Sequence, residues 1–142
     1  MTIVSPDLAA AIRAIHPPDG WVHLATVAPD GGPHVTPVMM GLHTDGLLFS
    51  LTGAQKKRNL QRDPRACVSI SREASLAHVI VWGTIELRHD AEAQKLWDNL
   101  IISAFGENGF AQRARTLSME GTSLGIMRPK RHRIYGLDGP NP

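Results

Sequence analysis

The chain has 142 residues, 42% of them hydrophobic and 20% charged, with a formal net charge of +2. That length fits one domain over residues 1–142 with a core of its own, and that balance excludes extended disorder. No run of about 18 apolar residues occurs, which excludes a membrane-spanning helix, and the lone Cys67 excludes an internal disulfide or a Cys-rich zinc site.

Met1–Asp7 contains no basic segment followed by an apolar core, so a cytoplasmic protein is expected. Ser5-Pro6-Asp7 reads as a helix start: a capping hydroxyl, a proline for the first turn and an acid near the positive end. Leu8, Ile12 and Ile15 share a face of that helix, and Pro17-Pro18 stop it.

From Trp21 the apolar period changes to two. Trp21–Val27, His34–Met40 and Leu47–Thr52 are predicted strands, joined by turns at Pro29-Asp30-Gly31-Gly32 and Thr44-Asp45-Gly46. Pro37 is out of place in the second, because proline gives up a ladder hydrogen bond. It implies an edge, a bulge or a place where a ligand replaces a neighbouring strand.

A short helix is predicted over Gln55–Arg62, closed by Asp63-Pro64, then strands over Ala66–Ser71 and Ala77–Leu87. Asp90 opens an amphipathic helix with Leu96, Trp97, Leu100, Ile101, Ala104 and Phe105 on one side, ended by Gly106 and Gly109. A weaker helix is predicted over Phe110–Leu117, closing strands over Thr122–Met127 and His132–Leu137, and a frayed tail at Gly139–Pro142. Six or seven antiparallel strands with few flanking helices predict a mainly β fold, a closed or split β-barrel.

The basic surplus is local. Nine of the 15 Lys and Arg fall in Lys56–Arg65 and Arg128–Arg133. Neither cluster is interleaved with aromatic residues, so neither offers the stacking faces of a single-strand nucleic-acid platform, and no helix-turn-helix or zinc-finger pattern is present. No nucleic-acid partner is therefore expected. The first cluster follows a strand that ends in Ser50 and Thr52, an arrangement suited to gripping a phosphate with hydroxyls and cations together. The bland alternative is a solvated basic helix.

The seven histidines form no i, i+4 pair or carboxylate-linked cluster, so no metal is expected. Ser118 and His132 lack the glycines of a nucleophile elbow. Met39, Met40, Trp97, Cys67 and Tyr135 are read as packing residues.

The order of these segments carries a resemblance. A strand, an Asp-Gly turn, Pro33-His34-Val35-Thr36-Pro37-Val38, basic Lys56-x-Arg58-Asn59-Leu60, Asp63-Pro64-Arg65-Ala66 and Trp82-Gly83 resemble the pyridoxamine phosphate oxidase-like split barrels that use flavin or deazaflavin. The likeness covers Trp21 to Leu87 and, more loosely, Pro129–Gly136. It implies a homodimer with two cofactors in clefts between the subunits. Thr36, Pro37 and Val38 would line the cofactor ring, and Ser50 and Thr52 would reach the ribityl chain or phosphate. Lys56 would bind the phosphate, with Lys57, Arg58 and Asn59 close by. His78, Trp82 and Gly83 would lie where the partner subunit approaches.

The Ala54–Ala66 string is most similar to the branch that uses coenzyme F-420, with FMN the alternative, and Arg62, Lys130 and Arg131 would suit the polyglutamate tail of that deazaflavin. Relatives that oxidise vitamin B6 carry a C-terminal Trp and Arg, for which Gly139-Pro140-Asn141-Pro142 supplies no match. The resemblance therefore implies a reductase passing two electrons, as hydride, to a small organic substrate. The alternatives are an FMN-dependent protein related to the oxidase and a cofactor-binding module without turnover.

Overall fold

The computed structural model describes residues 3–16, 20–72 and 75–137. Helix α1 (Pro6–Ile15) starts as its sequence dictates: Ser5 Oγ accepts from the Leu8 N–H at 3.3 Å, with Pro6 in the first turn. It ends at Ile15 with His16 as its C-cap. The Pro17-Pro18 stop and the Gly139–Pro142 tail lie outside the described residues.

Strands β1 (Trp21–Val27), β2 (Pro33–His43) and β3 (Gly46–Leu51) form the expected meander. Helix α2 (Ala54–Arg62) follows, then β4 (Arg65–Ser71), β5 (His78–Arg88), α3 (Ala91–Arg113) and β6 (Ser123–Tyr135). The six strands close into an antiparallel barrel in the order β1-β2-β3-β6-β5-β4. The fold is mainly β, as predicted.

Alternation along the strands builds the interior. Val22, Leu24 and Thr26 of β1 stand opposite Val38, Thr36 and His34 of β2, so these six share the inner face. Val68, Val79, Val81, Phe49 and Met127 complete the core, and α1 adds Leu8, Ile12 and Ile15. A second apolar cluster lies outside the barrel, where Trp97, Leu100 and Ile101 of α3 cover Leu48, Leu124 and Ile126. Met39 joins this outer cluster and Met40 the inner one, so both are packing residues.

Two expectations are corrected. The closing segment is one strand rather than two, and Arg128–Arg131 belong to it. The ladder with β5 steps from Trp82↔Arg131 to Gly83↔Pro129, leaving Lys130 as the extra residue of a bulge. Past Met127, β6 also has β5 as its only ladder neighbour, so Pro129 forfeits little.

Neither Gly106 nor Gly109 ends α3. Gly106 takes φ 73° and kinks the helix, which resumes and runs to Arg113, short of Leu117. The continuation is held by packing that periodicity did not reveal: the Phe110 ring sits 6.4 Å from that of Trp97.

Of the readings open for Pro37, the structure shows the edge. β2 pairs with β3 only from Met39 onward, because β3 ends at Leu51 and the chain turns away into α2. Between Pro33 and Val38, β2 therefore has β1 alone as a neighbour, and half of its backbone groups face an open edge. Pro37 sits exposed on that edge, so the edge accounts for it without any ligand.

Candidate functional site

Lys56 and the N-terminus of α2 form the centre of the site. β3 delivers the chain through Thr52 to Gly53, the N-cap of α2, which supplies no side-chain hydrogen bond to the first turn. The first-turn N–H groups thus keep their positive end open, and no acidic residue occupies that turn. The Lys56 side chain folds back over Gly53, so a Cβ at position 53 would strike the Lys56 ammonium. Burial first, and the neighbouring Lys57 second, lower the Lys56 pKa below its ordinary 10.5. An anion here would relieve both penalties and meet helix amides and an ammonium together.

Ser50 and the Pro37 edge flank this point. Ser50 pairs with Met39 across the ladder, the last pair before β3 leaves β2 and the chain turns toward α2. Side chains of Thr36 and Val38 point into the barrel, opposite Leu24 and Val22, and the alternation set by the Met40 N–H to Gly20 carbonyl bond turns their backbone groups toward β1, which leaves Val35 and Pro37 on the edge. The Thr36 Oγ1 is buried without a hydrogen-bond partner among the described residues.

Two of the expected binding residues point into the protein. Lys57 is only 5% exposed, and its Nζ donates to the carbonyls of Met119 (3.1 Å) and Gly121, tying the α3–β6 connection to α2. Asn59 is fully buried. Its Nδ2 donates to Thr26 Oγ1 at 3.0 Å, and its Oδ1 accepts from Gln55 Nε2 at 2.8 Å and from Arg62 at 3.4 Å. The helical period explains this: Lys57 and Leu60 face inward together, whereas Arg58 lies exposed and donates to Gln55 Oε1 at 2.9 Å.

Asn59 thus fixes the pose of α2 on β1. Asn59→Ala would strand the buried Thr26 hydroxyl, and a loss of about 1–3 kcal/mol of folding stability is expected. Urea unfolding of the variant checks this, and an unchanged midpoint would deny Asn59 that role.

His78, Trp82 and Gly83 lie elsewhere. β5 stands three strands from β2 whichever way the barrel is traversed, while α2 packs against both β1 and β5. The His78 ring stacks on Tyr135 at 4.9 Å, and the Arg131 guanidinium lies 4.1 Å over the Trp82 ring. Trp82 also borders an open cleft of about 370 Å³ with Thr26, Pro33, Arg65 and Cys67. Cys67 is half-buried, with its thiol pKa raised by burial and drawn back by Arg131. Arg65 is held at the rim by Asp63, at 2.6 Å, and this pairing keeps the Asp63 carboxyl down at about 2.

Sequence reasoning overlooked two contacts. Trp97 Nε1 donates to Ser50 Oγ at 3.0 Å, linking α3 to β3, although a buried tryptophan needs such an acceptor. His89 Nε2 lies 2.7 Å from the fully buried Ser123 Oγ. No helix among the described residues is long and apolar enough to cross a membrane.

No curated protein matches this sequence. Solved structures that resemble the barrel include an F420 reductase, 21% identical over 86% of this chain and 94% of that one, with a TM-score of 0.65. The heme storage protein HutZ from Vibrio cholerae is 16% identical over 92% of this chain and 94% of its own, at a TM-score of 0.67. A heme binding protein from Mycobacterium smegmatis is 25% identical over 96% of this chain but 57% of that chain, at a TM-score of 0.72. The sequence profile described as pyridoxamine 5'-phosphate oxidase matches residues 8–126. With that match spanning most of the barrel, the chain belongs to the pyridoxamine 5'-phosphate oxidase family.

Proposed function

We propose that the protein is a cytoplasmic oxidoreductase, active as a homodimer, that holds a phosphorylated flavin-type cofactor and reduces a small organic substrate. Coenzyme F-420 is the favoured cofactor and FMN the second. The observation that carries this reading is the uncapped N-terminus of α2 with Lys56 folded across it and no acid in its first turn. That donor set suits a phosphate.

When bound, the cofactor ring supplies the two-electron chemistry, so the chain's own work is to bind and orient. Lys56 and the first-turn amides of α2 hold the phosphate. Thr52 and Ser50 face the ribityl chain, with Ser50 oriented by Trp97. The exposed edge at Pro37, between Thr36 and Val38, lies against the ring. Arg62 is tied to the Val27 carbonyl and Arg131 lies over Trp82, which leaves exposed Lys130 on its bulge as the cation best placed for a polyglutamate tail.

The homodimer is part of this reading, and the distance of β5 from the β2 edge supports it. The β2 edge at Pro37 and His78 of β5 lie on strands three apart in the barrel, so a cofactor ring that touched both would draw them from two chains. Two-fold pairing gives two such sites. Sedimentation at micromolar concentration is expected to give twice the chain mass of 15.5 kDa. A monomer with and without cofactor would oppose the shared site.

Likeness to the Mycobacterium smegmatis heme binding protein supports a second reading, a cofactor-binding module without turnover. One experiment separates the two. FMN, coenzyme F-420 and hemin are titrated separately into the protein, followed by absorbance and fluorescence, and the bound reduced cofactor is then mixed with a quinone. Binding of a flavin-type cofactor with quinone-dependent reoxidation is expected. Hemin binding alone, or a bound flavin that passes no electrons to any acceptor, selects the second reading.

A further inference from the structure

We propose that the hollow between α3 and the turn end of the β2–β3 hairpin is a second ligand site, which takes a small amphipathic carboxylate. The hollow has a volume of about 320 Å³, within the range of small-molecule sites. Met40, Leu48, Leu96 and Leu100 form its apolar floor, and His16, Asn99 and Ser103 bring polar groups to its rim. Gly41 keeps the floor deep: a Cβ there would collide with the Leu100 side chain that now lies over it.

A second hollow of about 240 Å³ adjoins it, lined by Val4, Ala9, Arg13, Leu42, His43 and Thr44. Leu42 and His43 line both, so the two meet around one strand end. The mouth of the smaller hollow carries the Arg13 guanidinium, which no acid among the described residues pairs. The acid on the hairpin turn is Asp45, whose backbone N–H donates to His43 Nδ1 at 3.1 Å and whose carboxylate lies 3.6 Å from that nitrogen. Cation at one end, imidazole between, apolar floor at the other: that sequence matches a carboxylate head on a hydrocarbon or aromatic body.

The place is separate from the phosphate site. It sits by the Gly46 end of β3, whereas α2 begins beyond Leu51, roughly 17 Å away along the strand at about 3.3 Å per residue. The two sites can therefore be tested independently.

Calorimetric titration of the full chain with 2-naphthoate and with decanoate provides the test, with 2-naphthalenemethanol as the uncharged control. One of the acids is expected to bind one per chain with Kd below about 1 mM, and the alcohol more weakly. Naphthoate alone identifies an aromatic acid and decanoate alone a fatty acid; either supports the site. Ser103→Trp, which fills the hollow, should abolish binding. Arg13→Gln should weaken the acid by about tenfold and leave the alcohol unchanged. Arg13 is exposed on α1, so that variant keeps the fold and decides the matter even if Ser103→Trp does not fold. No acid binding to the wild-type protein, equal binding of the alcohol, or an Arg13→Gln affinity equal to wild type overturns the proposal.

Discussion

Lys56→Ala is expected to weaken binding of the phosphorylated cofactor by about 1–3 kcal/mol, roughly 5- to 150-fold, the range for losing a charge-assisted hydrogen bond to a phosphate. Folding stability should hardly change, because in the unliganded protein this ammonium is already disfavoured by burial and by Lys57. The same cause gives a pH signature. A lysine with a lowered pKa loses its charge earlier as pH rises, so affinity should fall through that lowered pKa while the alanine variant shows no such step. Fluorescence titration of both proteins between about pH 7 and 10 measures the effect. Equal affinity and equal pH dependence in the two would return Lys56 to an ordinary surface cation.

Gly83→Ala is expected to destabilise the fold by about 3 kcal/mol, at the upper end of the overpacking range. A Cβ at position 83 would fall well inside contact distance of the Arg128 carbonyl oxygen, and only 3.0 Å from Met127 Cγ. The obstructing atom is backbone in a paired strand, so it cannot swing aside as a side-chain tip would. Gly83 also stands at the register step opposite Lys130, and relief of the clash would have to open the β5–β6 bulge. That movement would shift Arg131 off the Trp82 ring. Thermal unfolding should show the loss, and tryptophan fluorescence should report the altered Trp82 environment. A melting temperature within a degree or two of wild type would mean that the close approach at Gly83 is relaxed in solution. In that case the residue is dispensable to the barrel.

Five of the six strands and all three helices were legible in the sequence because local signals agreed with the tertiary outcome. Alternation from Trp21 to Val27 is the burial pattern of β1, and Ser5-Pro6-Asp7 starts α1 where it begins. The meeting of Thr52 and Lys56 at one helix start was legible for the same reason, since a strand ending in hydroxyls followed by a basic helix places them there whatever surrounds them. What the sequence did not determine depended on distant partners. A gap was expected between Met127 and His132, and the β6 strand runs through it because β5 shifts register opposite Pro129 and no strand among the described residues pairs its other side. Gly106 looked like an end, and Trp97 packing against Phe110 carries the helix beyond it. Lys57 and Asn59 looked like neighbours of Lys56 in function, yet their direction depends on where α2 lies against β1 and the 119–121 carbonyls. A charge run specifies how many cations a helix carries; only the packing of that helix decides which of them face a ligand and which are spent holding the helix in place.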